Sequence, residues 1–372
     1  MEKGSKIYVG MDVHQKEIVV SILEGWFQES KDLRFRNDEK SVHRFARRLR
    51  REYGDRVSCV YEAGSCGYVV KRLMEKEGVC VEVIAPSLIP RKPGERVKSD
   101  QRDARNLAEH HRAGSLTVVR EPSEDEESAR DLCRCRSAAK ADQTRARHRL
   151  SKWLLRRGLV FREAGNWTVK HLAWLRRLKF ESDIERQVFE DYLGEVERLD
   201  ERLLRLESQI ETLAQQDSWR EKVGRLRCFR GLDTTSAMVI ATEIFDFRRF
   251  ADARHFMGFN GLVPGLDQSG DRRRGLPLTK TGNSHVRRVL IQAGWNNRAR
   301  PTVSGRLRKR REGQDERVIA IADKAQSRLY RRYQYLVHGR GMLTTKATAA
   351  LARELAGFIW SAMTLPETTN ET

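Results

Sequence analysis

Short apolar runs separated by polar turns dominate the first 90 residues. Five of these runs have the length and the β-branched content of strands. A helical pattern capped by Asp38 and running to Arg51 follows the third run, and another, Tyr68 to Glu77, separates the last two. The pattern therefore predicts three successive strands and then a strand–helix–strand unit. The five predicted strands are Ile7–Met11, Ile18–Leu23, Asp32–Arg36, Val57–Tyr61 and Cys80–Ile84.

This order of elements bears on the class of fold. A dinucleotide-binding domain would begin with a strand–helix–strand unit and a glycine-rich turn, whereas a meander followed by parallel strands suits a ribonuclease-H-like sheet. Gly64 and Gly67 alone are too weak a signal for a nucleotide-binding turn. The sequence predicts an α/β first domain.

Helical spacing replaces the strand pattern after residue 98. Ser99–Ala113 and the charged segment Glu124–Arg157 both predict helices, and apolar residues recur every three to four positions from Ile184 to Gln215. The last two segments predict an antiparallel helical arm. Two interpretations stay open for it: two helices packed on one another within a monomer, or a coiled coil that dimerises or spans nucleic acid.

The composition changes again after Trp219, where a basic stretch punctuated by glycines begins. We therefore expect an α/β plus α protein with three domains. Residues 1–122 form the first domain, 123–218 the long helices and arm, and 219–365 a mostly helical C-terminal domain, while 366–372 are expected to be disordered.

The net charge of the chain indicates which kind of molecule it binds. The 372 residues include 72 Lys and Arg against 52 Asp and Glu, a formal net charge of +20, so any polyanion is attracted and nucleic acid comes first. No apolar run approaches the ~18 residues that span a bilayer, and no signal peptide opens the chain, so a cytoplasmic location is expected. The six cysteines lack the spacing of a zinc site and are expected to be reduced.

Four acidic residues stand where the predicted sheet would gather them. Asp12 ends the first strand and Glu62 follows the fourth, while Asp100 and Asp103 are three apart and share a helix face. Packed carboxylates favour a bound cation, and their hard oxygens suit Mg²⁺ or Mn²⁺, which would serve phosphodiester chemistry. Any one of them is also explained as a cap or a surface charge, Asp100 above all.

Two motifs mark the C-terminal region. Leu226–Ala237 has the pattern of a helix-hairpin-helix, which aims backbone N–H groups at phosphate, although an ordinary helix corner explains it equally well. The glycine-rich run from Gly261 to Asn283 contains Ser269 beside Gly270, and we take Ser269 as the candidate nucleophile. Thr279 is interpreted as a turn residue and Ser284 as a helix cap. The residues expected to bind nucleic acid are Arg272, Arg273, Arg274, Lys280, Arg287, Arg308, Lys309 and Arg310.

With Asp12, Glu62, Asp100 and Asp103 followed by the Gly-Leu-Val-Pro, Gln-Ser-Gly and Leu-Thr-Lys-Thr-Gly-Asn motifs, the chain resembles the IS110 family of transposases. The resemblance implies a RuvC-like domain whose four acids form a DEDD metal site, a coiled-coil linker and a transposase domain carrying Ser269 as its serine. It further implies a phosphoserine intermediate, guidance by a structured bridge RNA that pairs with donor and target DNA, and a dimer or tetramer in which one protomer's acids meet another's serine.

Three functions compete at this point. The first is a site-specific DNA recombinase, for which both the acids and Ser269 are essential. The second is a metal-dependent, structure-specific nuclease of the junction-resolvase type, in which the acids alone hydrolyse DNA. The third is a non-enzymatic RNA-binding protein that has kept an old fold, for which neither group matters to activity.

Overall fold

A computed structural model of the chain describes residues 6–25, 30–90, 99–269 and 272–366, except for the side chains of residues 269, 272 and 273. The chain divides into two compact units, Met1–Pro122 and Ser123–Thr372. The first is mixed α/β and the second is mostly helical, as the sequence predicted.

The first unit is built on a five-stranded mixed sheet. The strand order is β3-β2-β1-β4-β5, with β2 antiparallel to both β1 and β3, and with β1, β4 and β5 parallel. The interior positions of β2 and β4 are buried in nearly continuous runs, which is typical of strands covered on both faces. The strands are β1 Ile7–Val13, β2 Glu17–Glu24, β3 Lys31–Arg36, β4 Val57–Glu62 and β5 Cys80–Ile84.

Three helices accompany the sheet: α1 Glu39–Tyr53, α2 Val69–Lys76 and α3 Asp100–Arg112. The predicted cap of α1 is present, since the Asp38 carboxylate accepts a hydrogen bond from the Ser41 amide at 2.8 Å. Helices α1 and α2 cover one apolar core of this unit with side chains such as Phe45 and Met74.

Helix α3 lies directly against the backbone of β1 at Gly10. A Cβ atom at Gly10 would lie 2.5 Å from the Ala108 amide nitrogen and closer still to the Ala104 carbonyl oxygen. Since strand side chains alternate in direction, Gly10 and Asp12 share one face of β1. The absence of a side chain at Gly10 therefore brings α3 onto the face of the sheet that carries Asp12.

Thirteen α-helices occur in the described residues, and the ten of the second unit begin with α4 Glu124–Leu155, α5 Val169–Leu175 and α6 Asp183–Leu213. Helices α4 and α6 pack antiparallel: Trp153 meets Phe189 near one end, and Arg136 bonds Glu207 near the other. Within one chain the arm is thus two helices packed on each other, and its role in dimerisation or in spanning nucleic acid stays a prediction.

The remaining helices form a core with the base of the arm. Buried Cys133 of α4 and Ile210 of α6 belong to the same apolar cluster as Phe256 and Leu351. The boundary expected at residue 218 falls inside α7, and the residues on both sides of it belong to one compact unit. The contacts that join them are between distant parts of the chain and have no local sequence signal. These helices are α7 Asp217–Arg227, α8 Thr234–Ile244, α9 Ala253–Phe259, α10 Ser284–Asn296, α11 Gly305–Arg311, α12 Glu316–Gln334 and α13 Thr344–Met363.

A two-stranded antiparallel hairpin, β6 Pro264–Ser269 and β7 Arg272–Leu278, interrupts the helices of the second unit. Residues 367–372 of the expected disordered tail lie outside the described residues, and the Pro366 carbonyl accepts a hydrogen bond from Arg317 at 2.9 Å. In the part of the chain that the structure describes, no helix has the length and apolarity to cross a bilayer.

We predict that Gly10→Ala destabilises the first unit by about 1–3 kcal/mol, because the added methyl group overlaps the α3 backbone. Urea unfolding followed by circular dichroism measures the change. Gly64→Ala is the matched control, since a Cβ there meets only the Glu62 carbonyl oxygen at 3.9 Å. Equal stability of the two variants would contradict a tight α3–β1 contact.

Candidate functional site

Asp12 and Glu62 lie side by side at one edge of the sheet. The parallel pairing of β1 with β4 ends at Met11 opposite Tyr61, so the two acids come next on adjacent strands. Glu62 is exposed and Asp12 is partly buried, with 21% of its side chain accessible. The carboxyl ends of parallel strands therefore bring these two predicted site residues to the same edge, although they are 50 positions apart.

The first turn of α3 supplies Asp100 and Asp103. The helix is capped by Ser99, whose hydroxyl accepts a hydrogen bond from the Arg102 amide at 3.4 Å. Asp100 is consequently not the cap that it could have been on sequence grounds, and its carboxylate is available for another role. Asp103 lies close enough to Asp12 for the two charges to interact.

His14 joins the acids at this edge. Its Nε2 atom lies 3.1 Å from Asp12 Oδ2 and 3.6 Å from Asp100 Oδ1. One potential metal-ligand atom from each of these three residues lies within 4.8 Å of the other two. His14 was not among the predicted site residues; its position two residues after Asp12, in the turn that follows β1, was the available signal.

Hydrogen bonds hold both the backbone amide and the backbone carbonyl of His14 in the turn after β1. The His14 amide donates to the Glu17 carbonyl at 3.0 Å, and the Asn37 side chain donates to the His14 carbonyl at 2.7 Å. The imidazole therefore projects from an anchored turn.

The electrostatics of this cluster favour a cation. Burial raises the pKa of Asp12; the neighbouring charges of Asp100 and Asp103 raise it further, and His14 offsets only part of the effect. When its acids are ionised, the cluster thus carries more negative charge than His14 can neutralise. Two carboxylates and an imidazole within reach of one point fit a divalent ion, with the oxygens suiting Mg²⁺ or Mn²⁺.

Asp32 on β3 anchors the start of α3. Its carboxylate accepts a hydrogen bond from Gln101 and lies 3.5 Å from the Arg105 guanidinium. Burial alone would raise the pKa of Asp32, but the hydrogen bond from Gln101, the neighbouring hydroxyl groups of Ser21 and Ser30 and the charge of Arg105 outweigh it and lower the pKa. The helix that presents Asp100 is thus tied to the sheet by an ionised acid outside the cluster.

Ser269 belongs to the second unit, at the last position of β6. Its Cα pairs with that of Arg272 across the hairpin. The side chains of Ser269, Arg272 and Arg273 lie outside the described set, as do Gly270 and Asp271 altogether. The backbone thus locates the candidate nucleophile at the tip of a two-stranded hairpin.

The base of this hairpin is held by backbone hydrogen bonds to the end of α9 and the segment after it. The Thr279 amide donates to the Val263 carbonyl at 3.0 Å, and the Asn283 amide donates to the Phe259 carbonyl at 3.0 Å. Gly282 has φ +76° and passes so close to the Phe259 carbonyl that a Cβ would overlap it. The predicted Thr-Lys-Thr-Gly-Asn motif therefore builds a compact turn below the hairpin.

A buried acid, Glu243 of α8, secures this turn. Its side chain is only 3% exposed and accepts two hydrogen bonds from Arg134, at 2.7 and 3.0 Å, and one from the Asn283 side chain at 2.7 Å. Asn283 in turn caps α10 by accepting from the Val286 amide at 3.0 Å. The cap expected at Ser284 is therefore one residue earlier, because the Asn283 side chain reaches both the helix end and Glu243.

The predicted nucleic-acid-binding residues differ in their surroundings. Arg274, Lys280, Arg308 and Lys309 are exposed, whereas Arg310 is half-buried. Arg287 donates to the carbonyl oxygens of Asn260 and Thr281 at 3.0 and 3.2 Å, so its guanidinium also holds the turn at the hairpin base.

Comparison with known proteins agrees with this arrangement. A family model named DEDD_Tnp_IS110, described as transposase, matches residues 9–157, which contain all four acids and His14. A second, described as transposase IS116/IS110/IS902 family, matches residues 224–308, which contain Ser269. The chain belongs to the IS110 family of transposases.

Two relatives extend the match along most of this transposase. The protein named "Putative transposase y4qE" from Sinorhizobium fredii (strain NBRC 101917 / NGR234) is 34% identical over 358 residues, covering 95% of this chain and 87% of its own. The transposase for insertion sequence element IS1533 from Leptospira borgpetersenii is 34% identical over 335 residues, covering 89% and 96%. This IS110-family transposase is therefore an enzyme that cuts and rejoins DNA, and its DEDD family suggests a divalent metal.

We predict that Mg²⁺ or Mn²⁺ raises the thermal stability of the transposase and that Asp12→Asn removes this increment. The expected gain is about 2.7 kcal/mol when the metal is at 100 times its Kd. Without metal, Asp12→Asn should be at least as stable as the wild type, since the raised pKa shows that the charged form is disfavoured there. Thermal unfolding with and without metal measures both effects.

Asp55→Asn is the matched control, because Asp55 is an exposed acid of the same unit that pairs with Arg50 outside the cluster. Loss of the metal increment in this control, or its survival in Asp12→Asn, would contradict metal binding at Asp12.

We further predict that Glu243→Gln lowers the free energy of unfolding by about 1.5–3 kcal/mol at pH 7, the range for hydrogen bonds to charged groups. Burial raises the pKa of Glu243, but hydrogen bonds from Arg134 and Asn283 lower it below its ordinary 4.5. A lowered pKa gives stability that is present above about pH 4.5 and is lost as the pH falls through the folded value. The gap between wild type and variant should therefore shrink on acidification.

Urea unfolding at several pH values measures this gap. Glu185→Gln is the control, because Glu185 forms an exposed pair with Arg157 at 3.1 Å, whose contribution is about 0–1 kcal/mol. A gap for Glu243→Gln that stays constant below pH 4.5 would contradict a role for its charge.

Proposed function

We propose that this IS110-family transposase is a DNA recombinase in which Asp12, Glu62, Asp100 and Asp103 form a DEDD metal site and Ser269 is the nucleophile. The observation that carries the proposal is the meeting of Asp12 with Asp100, which come from β1 and from the first turn of α3. Glu62 on the adjacent strand and Asp103, whose charge acts on Asp12, complete the proposed set of four acids.

The strand order supports a RuvC-like, ribonuclease-H-like first domain. A sheet ordered β3-β2-β1-β4-β5, with β2 antiparallel to the central strands, has the topology that such a domain requires. Acids at the ends of β1 and β4 and on a helix packed against β1 suit the same fold.

Mg²⁺ or Mn²⁺ is the proposed ion, held by the carboxylates with His14 as an additional ligand. When bound, divalent ions activate the attacking oxygen and stabilise the leaving oxygen of a phosphodiester. Asp12 and Asp100 supply the charge that attracts the ion, and α3 packing holds them ready before it arrives.

Ser269 supplies the covalent step in this proposal. Its Oγ attacks a DNA phosphorus, a P–Oγ bond forms as a P–O bond of the strand breaks, and the hydroxyl proton passes to the leaving oxygen. One ester replaces another, so attack by the hydroxyl of a second strand reverses the step and rejoins DNA. Arg272, Arg273, Arg274 and Lys280 are the proposed cations for the phosphate charge at the hairpin.

A structured bridge RNA and a homo-oligomer, either dimer or tetramer, complete the proposal. The net charge of +20 supports binding of RNA as well as donor and target DNA. An oligomer would let the acids of one protomer meet Ser269 of another, since the acids and the serine lie in different compact units.

We predict that Ser269→Ala abolishes strand exchange and the protein–DNA adduct while leaving nucleic-acid binding unchanged. Denaturing gels of labelled donor DNA detect the adduct, and sequencing the RNA that co-purifies should give one abundant structured species. Ser284→Ala is the matched control, because this exposed hydroxyl is next to the same turn and has no assigned role.

Asp12→Asn is tested in parallel, and it should also abolish the adduct. Cleavage that survives Ser269→Ala but not Asp12→Asn would indicate a metal-dependent nuclease. Binding without cleavage in the wild type, unaffected by either change, would indicate a non-enzymatic RNA-binding protein. A heterogeneous RNA pool would contradict guidance by a bridge RNA.

A further inference from the structure

The hairpin between α7 and α8, residues 228–233, is locked by side chains that bond its carbonyl groups. Arg311 donates from Nε to the Cys228 carbonyl at 3.0 Å, and Asn297 donates to the Arg230 carbonyl at 3.2 Å. Arg310 donates to the Leu232 carbonyl. Two of these three donors are consecutive arginines at the end of α11, so positive charge is concentrated beside the hairpin.

Arg227, the last residue of α7, adds a third guanidinium to Arg310 and Arg311. Each of the three has a buried N–H group with no acceptor among the described residues: Nε of Arg227, Nε of Arg310 and a terminal nitrogen of Arg311. Arg311 is neutralised by Asp323 at 2.8 Å. No hydrogen bond to a carboxylate is found for Arg227 or Arg310 in the described part of the chain.

This arrangement is costly for the free protein. A buried donor without an acceptor destabilises the folded protein, and more so when it is charged. Burial lowers the pKa of Arg310, and the neighbouring charge of Arg227 lowers it further. Asp233 offsets part of this charge, but its carboxylate already caps α8 by accepting from the Ser236 amide at 2.8 Å. An anion beside the two guanidiniums would relieve the repulsion between them.

A phosphodiester is the anion that suits the place. Arg310 lies beside the start of α8, because it bonds the Leu232 carbonyl, and the first N–H groups of this eleven-residue helix favour negative charge. Positive charge continues past the hairpin, because Arg230 donates to the carbonyls of Ala299 and Arg300 at 3.2 and 2.8 Å, within a segment that also carries Arg298. A chain of phosphates could follow such a surface.

We propose that Arg227 and Arg310 form a clamp for one backbone phosphate of a bound nucleic acid, at the hairpin between α7 and α8. The clamp deepens the proposed function, on which it rests for its ligand, and it gives the helix-hairpin-helix pattern of the sequence a defined contact. Arg311 positions the hairpin rather than the phosphate, since it bonds the Cys228 carbonyl and Asp323.

The test is the salt dependence of binding for Arg227→Gln, Arg310→Gln and the double variant. Fluorescence anisotropy with a labelled DNA duplex and with an RNA hairpin of equal length gives the slope of log K against log salt concentration. Loss of one phosphate contact should reduce the slope by about 1 and weaken binding several-fold. Because both side chains would hold the same phosphate, the double variant should be little worse than either single one.

Arg186→Gln is the matched control, since it also removes one positive charge but from an exposed pair with Asp183 on the arm. Arg310→Lys tests rescue, because it keeps the charge and can still reach an oxygen acceptor. Arg227→Gln should leave the free protein at least as stable as the wild type, since it removes a repulsive charge. It therefore keeps the test decisive even where Arg310→Gln weakens the hairpin through the lost Leu232 contact.

Unchanged slopes for both single variants, or an equal drop in Arg186→Gln, would overturn the clamp. A change with only one of the two probes would identify DNA or RNA as the source of the phosphate. Failure of the proposed function is separable: a wild type that binds neither probe contradicts the recombinase, whereas binding that is insensitive to Arg227 contradicts only the clamp.

Discussion

The contact of α3 with β1 at Gly10 is the constraint on which the candidate metal centre depends. Asp12 and Asp100 are 88 positions apart, and nothing local to either residue brings them together. The bare backbone of Gly10 lets α3 approach the sheet, and Asp32 fixes the first turn of that helix through Gln101 and Arg105. Packing thus imposes a closeness that the carboxylates, left to their own repulsion, would avoid.

Glu243 and Asp12 are acids that differ in how fully neighbouring groups compensate their negative charge. Glu243 has three donors on its two oxygens, and its pKa is lowered in spite of burial. Asp12 has His14 beside it but faces two further acids, and its pKa is raised. The same contrast separates Arg311, which has Asp323, from Arg227 and Arg310, for which the described residues provide no hydrogen-bonded acid. Side chains whose charge is incompletely neutralised by their neighbours are therefore the positions at which a bound ion would stabilise the protein most.

Much of the first unit could be predicted because its signals are local. Alternation and apolar runs located all five strands to within two residues, and Asp38 identified a helix start. His14 was missed because a polar residue in a short turn looks like any loop residue until the fold shows which acids it faces. The cap of α10 was assigned to Ser284 rather than Asn283, since the deciding contact comes from Glu243, 40 residues away. The boundary at residue 218 stays a prediction, while α4 and α6 share an apolar core with later helices through contacts that have no local sequence signal.

The acidic cluster and Ser269 need different kinds of structural support, and different parts of the fold provide it. Metal ligands need fixed geometry, which a sheet edge and a docked helix supply. The proposed nucleophile would need reach toward DNA, and strands of six and seven residues extend by roughly 17–20 Å from their base. A long hairpin holds its tip in register only if its base is rigid. Glu243, Asn283 and the close approach of Gly282 to Phe259 supply that rigidity, so a buried ion pair far from the serine governs where the serine can go.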